Sequence, residues 1–101
     1  MNRKLTFYVG LLDKDTKIQR FTTVEAFKIV ERVTADHFGG GTISESIGIY
    51  KHADGTVVVE PSLRIEVYAT CGYADYVELL KAILNQESIL VERADVAYSF
   101  E

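Results

Sequence analysis

The sequence predicts an α+β fold: one antiparallel sheet with two helices on a single face. Three observations carry that expectation. The stretch Thr42–Ala69 reads as two long strand-like runs joined at Asp54-Gly55, and Asp-Gly between β-branched runs is the strongest short-range hairpin signal. Two segments, Thr23–Phe38 and Tyr73–Asn85, place apolar residues at helical spacing. The order strand, helix, strand, strand, helix, strand, followed by a short terminal strand, is the split β-α-β layout called ferredoxin-like. Each helix has one apolar stripe, so both can cover the same sheet face. A chain of 101 residues is expected to make one such domain over 1–101.

The first strand is Leu5–Leu11, where Leu5, Phe7, Val9 and Leu11 point one way and Thr6, Tyr8 and Gly10 the other. Leu12 to Gln19 is polar, with Asp13 and Asp15 suited to turns. Its Asp-Lys-Asp spacing lacks the glycine and the distal glutamate of a calcium loop. Thr22 and Glu25 form a capping box at the start of the first helix, with Phe21 and Ala26 placed as a hydrophobic staple. Ala26, Phe27, Val30, Val33, Thr34, His37 and Phe38 make its stripe. Gly39-Gly40-Gly41 ends it. This run follows a helix and precedes a strand, the reverse of a phosphate-binding loop, so it reads as a cap.

On the first hairpin arm Ile43, Glu45, Ile47 and Ile49 share one face, and Ser44, Ser46, Gly48 and Tyr50 the other. On the second arm Leu63, Ile65, Val67 and Ala69 oppose Arg64, Glu66 and Tyr68. A type I′ turn at Asp54-Gly55 would need positive φ at both residues. Pro61, the only proline, cannot donate to a ladder and marks a bulge, an edge or a change of strand. The tip, about Tyr50 to Glu60, is therefore expected to project beyond the main sheet. Thr70-Cys71-Gly72 is a loop, Tyr73–Asn85 the second helix, and Ser88–Glu92 a further strand. Asp95 reads as a turn, and Val96, Tyr98 and Phe100 alternate as a last short strand.

Composition narrows the function classes. The net charge is −4, which disfavours binding to a phosphate backbone, and the basic-aromatic signature of an RNA-reading sheet is absent from the central strand. The single cysteine, Cys71, excludes an intrachain disulfide framework. No apolar run approaches a membrane span and none forms a signal core. A cytoplasmic protein is expected, with no membrane or nucleic-acid partner.

Three stretches, KLTFYVGLLDKDTK at 4–17, GIYKHADGTVVVEPSLRIE at 48–66 and LNQESILVE at 84–92, resemble small proteins of bacteria and their phages with a PII-like ferredoxin fold. The resemblance covers most of the chain and carries no catalytic motif. It implies a homo-oligomer, since PII-like proteins proper are trimeric nucleotide sensors with a mobile loop where this chain has its hairpin. The glycine-rich and basic residues with which those sensors hold phosphates are not evident here. Among phage proteins of this size, the resemblance also implies an anti-defence role through sequestration of a nucleotide signal.

The residues themselves argue against catalysis. His37 lies on a helix stripe and His52 at the hairpin tip, and neither has a serine, cysteine or second histidine at the spacing of a triad or a metal site. No enzyme activity, metal or cofactor is therefore expected. The sheet face turned away from the helices is the better candidate. Tyr8, Tyr50 and Tyr68 offer stacking surfaces, Arg64 a bidentate grip on an anion, Glu66 a partner for ribose hydroxyls or an amine, and Gly48 a close approach to backbone. The same tyrosines and arginine would suit a subunit seam. Gln86 and Ser88 read first as helix-termination and turn residues, and secondly as hydrogen-bonding groups at a pocket rim. The expected function is non-enzymatic binding of a nucleotide-like or anionic small molecule between subunits. The alternatives are an inhibitor or decoy that occludes a host protein surface, and a structural oligomerisation module.

Overall fold

The computed structural model describes residues 2–101. The elements are β1 (Arg3–Gly10), α1 (Thr23–Phe38), β2 (Thr42–Lys51), β3 (Val57–Ala69), α2 (Ala74–Leu84) and β4 (Leu90–Asp95). The four strands form one antiparallel sheet in the order β2-β3-β1-β4. This is the ferredoxin-like α+β arrangement that the element order predicts.

Alternation decides which face is covered. Leu5, Phe7 and Val9 of β1 and Leu63, Ile65 and Val67 of β3 are fully buried with Ala26 and Val30 of α1 and Leu80 of α2. Both helices therefore press on one face, and Phe7 sits at its middle. Its ring lies 4.9 Å from that of Tyr76, 6.0 Å from Phe38 and 5.9 Å from Tyr73. The helices are tied together by a buried 2.8 Å hydrogen bond between Thr34 Oγ1 and the Tyr76 hydroxyl. Burial pushes the Tyr76 phenol up to about 12, against the smaller opposing effect of Thr34. Folding favours the neutral ring, so its contribution to stability is fully present below pH 10 and is lost as pH rises through about 12. An alkaline absorbance titration combined with unfolding curves should find one late-ionising tyrosine and a stability that falls over that interval.

The first helix follows its sequence signals. The Thr22 hydroxyl accepts from Glu25 N at 3.1 Å and the Glu25 carboxylate accepts from Thr22 N at 2.9 Å, so the capping box is closed. Gly39 ends the helix with φ of 82°, in the left-handed region where a Cβ is costly. The second helix is one residue shorter at each end than its apolar pattern, because Tyr73 and Asn85 serve as its caps. Asn85 itself takes the left-handed conformation, φ 48°.

The hairpin differs from expectation at its turn. Only Gly55 has positive φ, Gly55 N donates to His52 O at 2.9 Å, and His52 N donates to Thr56 O at 2.8 Å. The loop is therefore a three-residue turn closed by a left-handed glycine, not a type I′ turn with Asp54 in that region. At Pro61 the structure shows the edge alternative. β3 runs through it without interruption, opposite Ile47 of β2, while β1 ends at Gly10 opposite Ser62. The Pro61 carbonyl accepts from Leu11 N at 3.0 Å. In an extended residue N and C=O point to the same side, so the missing N–H faces the place where β1 has run out. Beyond it β2 and β3 continue as a two-stranded arm, and the molecule measures 46 × 26 × 22 Å.

The last strand also differs. Leu90 to Asp95 is one strand paired with β1, so Asp95 ends it instead of forming a turn. Residues 96–101 are irregular. The alternation of Val96, Tyr98 and Phe100 does not make a strand, because Val96 N donates to Asn2 O and the Tyr98 ring lies against Tyr68, away from the outer edge of β4.

Candidate functional site

The face without helices carries Lys4, Thr6 and Tyr8 of β1 directly opposite Tyr68, Glu66 and Arg64 of β3. Strand pairing thus sets three rungs in a row. At the middle rung Glu66 Oε1 forms an ion pair with Arg64 and lies 3.8 Å from Lys4 Nζ. Arg64 Cζ stands 5.9 Å from the Tyr8 ring centre. Tyr8, and then the Glu66 carboxylate, hold the Arg64 guanidinium above its ordinary pKa against the opposing effect of burial. With Glu66 and Tyr8 fixing its plane, the exposed remainder of the guanidinium is preorganised for a carboxylate or phosphate. Thr6, on the middle rung, is buried to 1% exposure despite lying on the open face.

Tyr8, Arg64, Glu66 and Tyr68 are therefore brought together. The other predicted residues are not. Tyr50 pairs with Val58 on the arm, about 20 Å along β3 from Arg64 at roughly 3.3 Å per residue, and its ring meets His52 at 5.3 Å. Gly48 lies opposite Glu60, and the space where its Cβ would stand is only 3.1 Å from the Ser62 hydroxyl, so a neighbour occupies that approach. Gln86 is buried and donates to Leu12 O at 2.7 Å and Leu84 O at 3.3 Å, tying the exit of α2 to the loop after β1. Ser88 is exposed on the connection to β4. His37 binds Gly72 O at 2.8 Å through Nε2 and packs on Phe38 and Tyr76, away from the open face.

Three contributors escaped the sequence reading. Lys4 belongs to the same alternating set as Thr6 and Tyr8, and that signal was available. Glu60 reaches across from β3, its carboxylate lying over Gly10 and accepting from Leu12 N at 2.9 Å. Tyr98, read as a strand residue, instead lies with its ring 5.2 Å from that of Tyr68. The segment after β4 thus folds back onto the open face, anchored where Val96 N donates to Asn2 O at 3.2 Å.

No protein-family model matches this sequence, and a search of curated proteins finds no match either. Solved structures do. The fold is similar to that of a phage SAM lyase in complex with S-methyl-5'-thioadenosine, at 19% identity and a TM-score of 0.66, over 93% of this chain and 81% of the other. It is similar also to a phage SAM lyase in the apo state, at 19% identity and a TM-score of 0.64, over 91% and 78%. At this identity the likeness shows the fold.

It nevertheless overturns the expectation of a non-enzymatic binder. That expectation rested on the absence of a nucleophile–base pair and a metal cluster, yet the fold shared over nine-tenths of the chain serves a lyase in both neighbours. Lack of those groups is no argument against turnover on such a scaffold. Among the described residues no helix is long and apolar enough to cross a membrane.

Proposed function

We propose that this chain is a lyase that cleaves S-adenosylmethionine or a close sulfonium nucleoside, releasing S-methyl-5'-thioadenosine. What carries the reading is the row of Arg64, Glu66 and Tyr68 on the open face of a fold shared with lyase chains. A lyase that leaves the thioether and its methyl group in the product must break the bond between sulfur and the γ carbon of the amino-acid side chain. The simplest balanced step is internal. A carboxylate oxygen of the substrate attacks that carbon, an O–C bond closes a five-membered lactone, and the S–C electron pair leaves with sulfur as a neutral thioether. No water, proton or cofactor is consumed. The alternative, elimination, requires a general base at the β carbon. Glu66 is already engaged by Lys4 and Arg64, so elimination would have to draw on Glu92, which pairs with Thr6 on the same face.

Such a step joins a cation to an anion, so charge vanishes in the transition state and exclusion of water helps it. Tyr8, Tyr68 and Tyr98 would provide that setting. Arg64 would orient the substrate carboxylate, and Glu66 would oppose the sulfonium or the amine. Homo-oligomeric assembly, implied by the PII-like resemblance, is supported by the arm, where Ile47, Ile49, Val57 and Val59 are 58–71% exposed. An anti-defence role would run through depletion of the methyl donor in the cytoplasm. Calorimetric titration tests the binding half of this reading. S-Adenosylmethionine and S-methyl-5'-thioadenosine should both bind, and a protein that binds neither would overturn it.

A further inference from the structure

Between the segment after β4 and the near end of the open face lies a cleft of about 520 Å³ lined by Lys4, Tyr68, Val96, Tyr98 and Phe100, a size that suits a small-molecule site. Three aromatic rings run through it. Tyr98 stands 5.2 Å from Tyr68, and Phe100 stands 5.8 Å from Tyr98 at an interplanar angle of 79°. The two rings stand near a right angle, and Phe100 is 90% exposed. The cleft continues directly into the polar row, because Lys4 pairs with Tyr68 in the strand register and also lies 3.8 Å from Glu66. From the Tyr68 rung to the Arg64 rung is about 13 Å at roughly 3.3 Å per residue. Each end of the row holds one cation and one tyrosine, Lys4 with Tyr68 and Arg64 with Tyr8, and only the Tyr68 end has the further rings of Tyr98 and Phe100.

We infer that the segment 96–101 supplies the base-recognition half of the site: an adenine ring enters the corner of Tyr98 and Phe100 beside Tyr68, while the amino-acid carboxylate reaches Arg64. The inference rests on the lyase reading and goes beyond it by dividing the substrate between two ends of the row. Stacking on aromatic rings is recognition that any purine face satisfies. Tyr98 and Phe100 touch the base and not the reacting atoms, so their loss should act on binding and not on the bond-breaking step.

The test is calorimetry with S-methyl-5'-thioadenosine, which keeps the base and lacks the carboxylate, on the full chain and on F100A, Y98A and F100Y. F100A and Y98A should weaken it by about tenfold or more, and F100Y should bind it as the wild type does. With S-adenosylmethionine, F100A should raise KM and spare kcat. Phe100 is exposed, so its removal leaves the fold intact, and thermal melts of Y98A provide the same check. Unchanged affinity in F100A and Y98A, with the wild type still cleaving S-adenosylmethionine, would overturn the inference and leave the lyase reading standing. A wild type that binds neither compound would overturn both.

Discussion

Replacing Phe7 by alanine should lower folding stability by about 3–5 kcal/mol, the range for deleting a fully buried aromatic ring. Phe7 is 0% exposed on a central strand, between Ile65 of β3 and Val91 of β4, and meets three rings from both helices. Its loss leaves a void at the point where sheet and helices converge, and no neighbour can collapse into it without moving a helix. For a domain of this size the melting temperature should fall by at least about 12 °C, measured by calorimetry or circular dichroism. A total stability of about 5–15 kcal/mol makes this a large fraction of the whole. A drop of a few degrees would mean that the helices do not pack on β1 as described.

Replacing Arg64 by alanine should weaken S-adenosylmethionine by more than about tenfold, since a hydrogen bond to a charged group contributes on the order of 1.5–3 kcal/mol. The loss should appear mainly in KM, because the guanidinium meets a carboxylate that is already charged before the reaction begins. Lysine at this position should rescue little. Its ammonium cannot pair with Glu66, meet Tyr8 and present a second planar edge at once. Steady-state kinetics of thioether release provides the measurement. A variant with wild-type KM would remove Arg64 from the substrate site.

The elements that local chemistry punctuates were legible in the sequence. Thr22, Glu25 and Gly39 mark both ends of α1, and each side chain or backbone does what its residue type suggests. The alternation of β1 and β3 correctly assigned the open face, but alternation says which side a residue takes and not how far along the strand it stands. Tyr50 and Arg64 share a face and stand about 20 Å apart along it, at roughly 3.3 Å per residue. Tyr98 and Phe100 imitate a strand by their spacing of two, whereas the Tyr98 ring turns onto Tyr68 and leaves the outer edge of β4 unpaired. The proposed activity would leave no local signal of the kind that a triad or a metal cluster leaves. A substrate that carries both its own nucleophile and its own leaving group asks the protein for shape and charge, not for a triad.

The most direct measurement is the fate of S-adenosylmethionine incubated with the purified full chain in heavy-oxygen water, with products separated and weighed. The proposed chemistry predicts S-methyl-5'-thioadenosine in step with loss of substrate, together with a four-carbon lactone whose γ oxygen is unlabelled because it comes from the substrate's own carboxylate. Unchanged substrate, or S-adenosylhomocysteine in place of the thioether nucleoside, would contradict it.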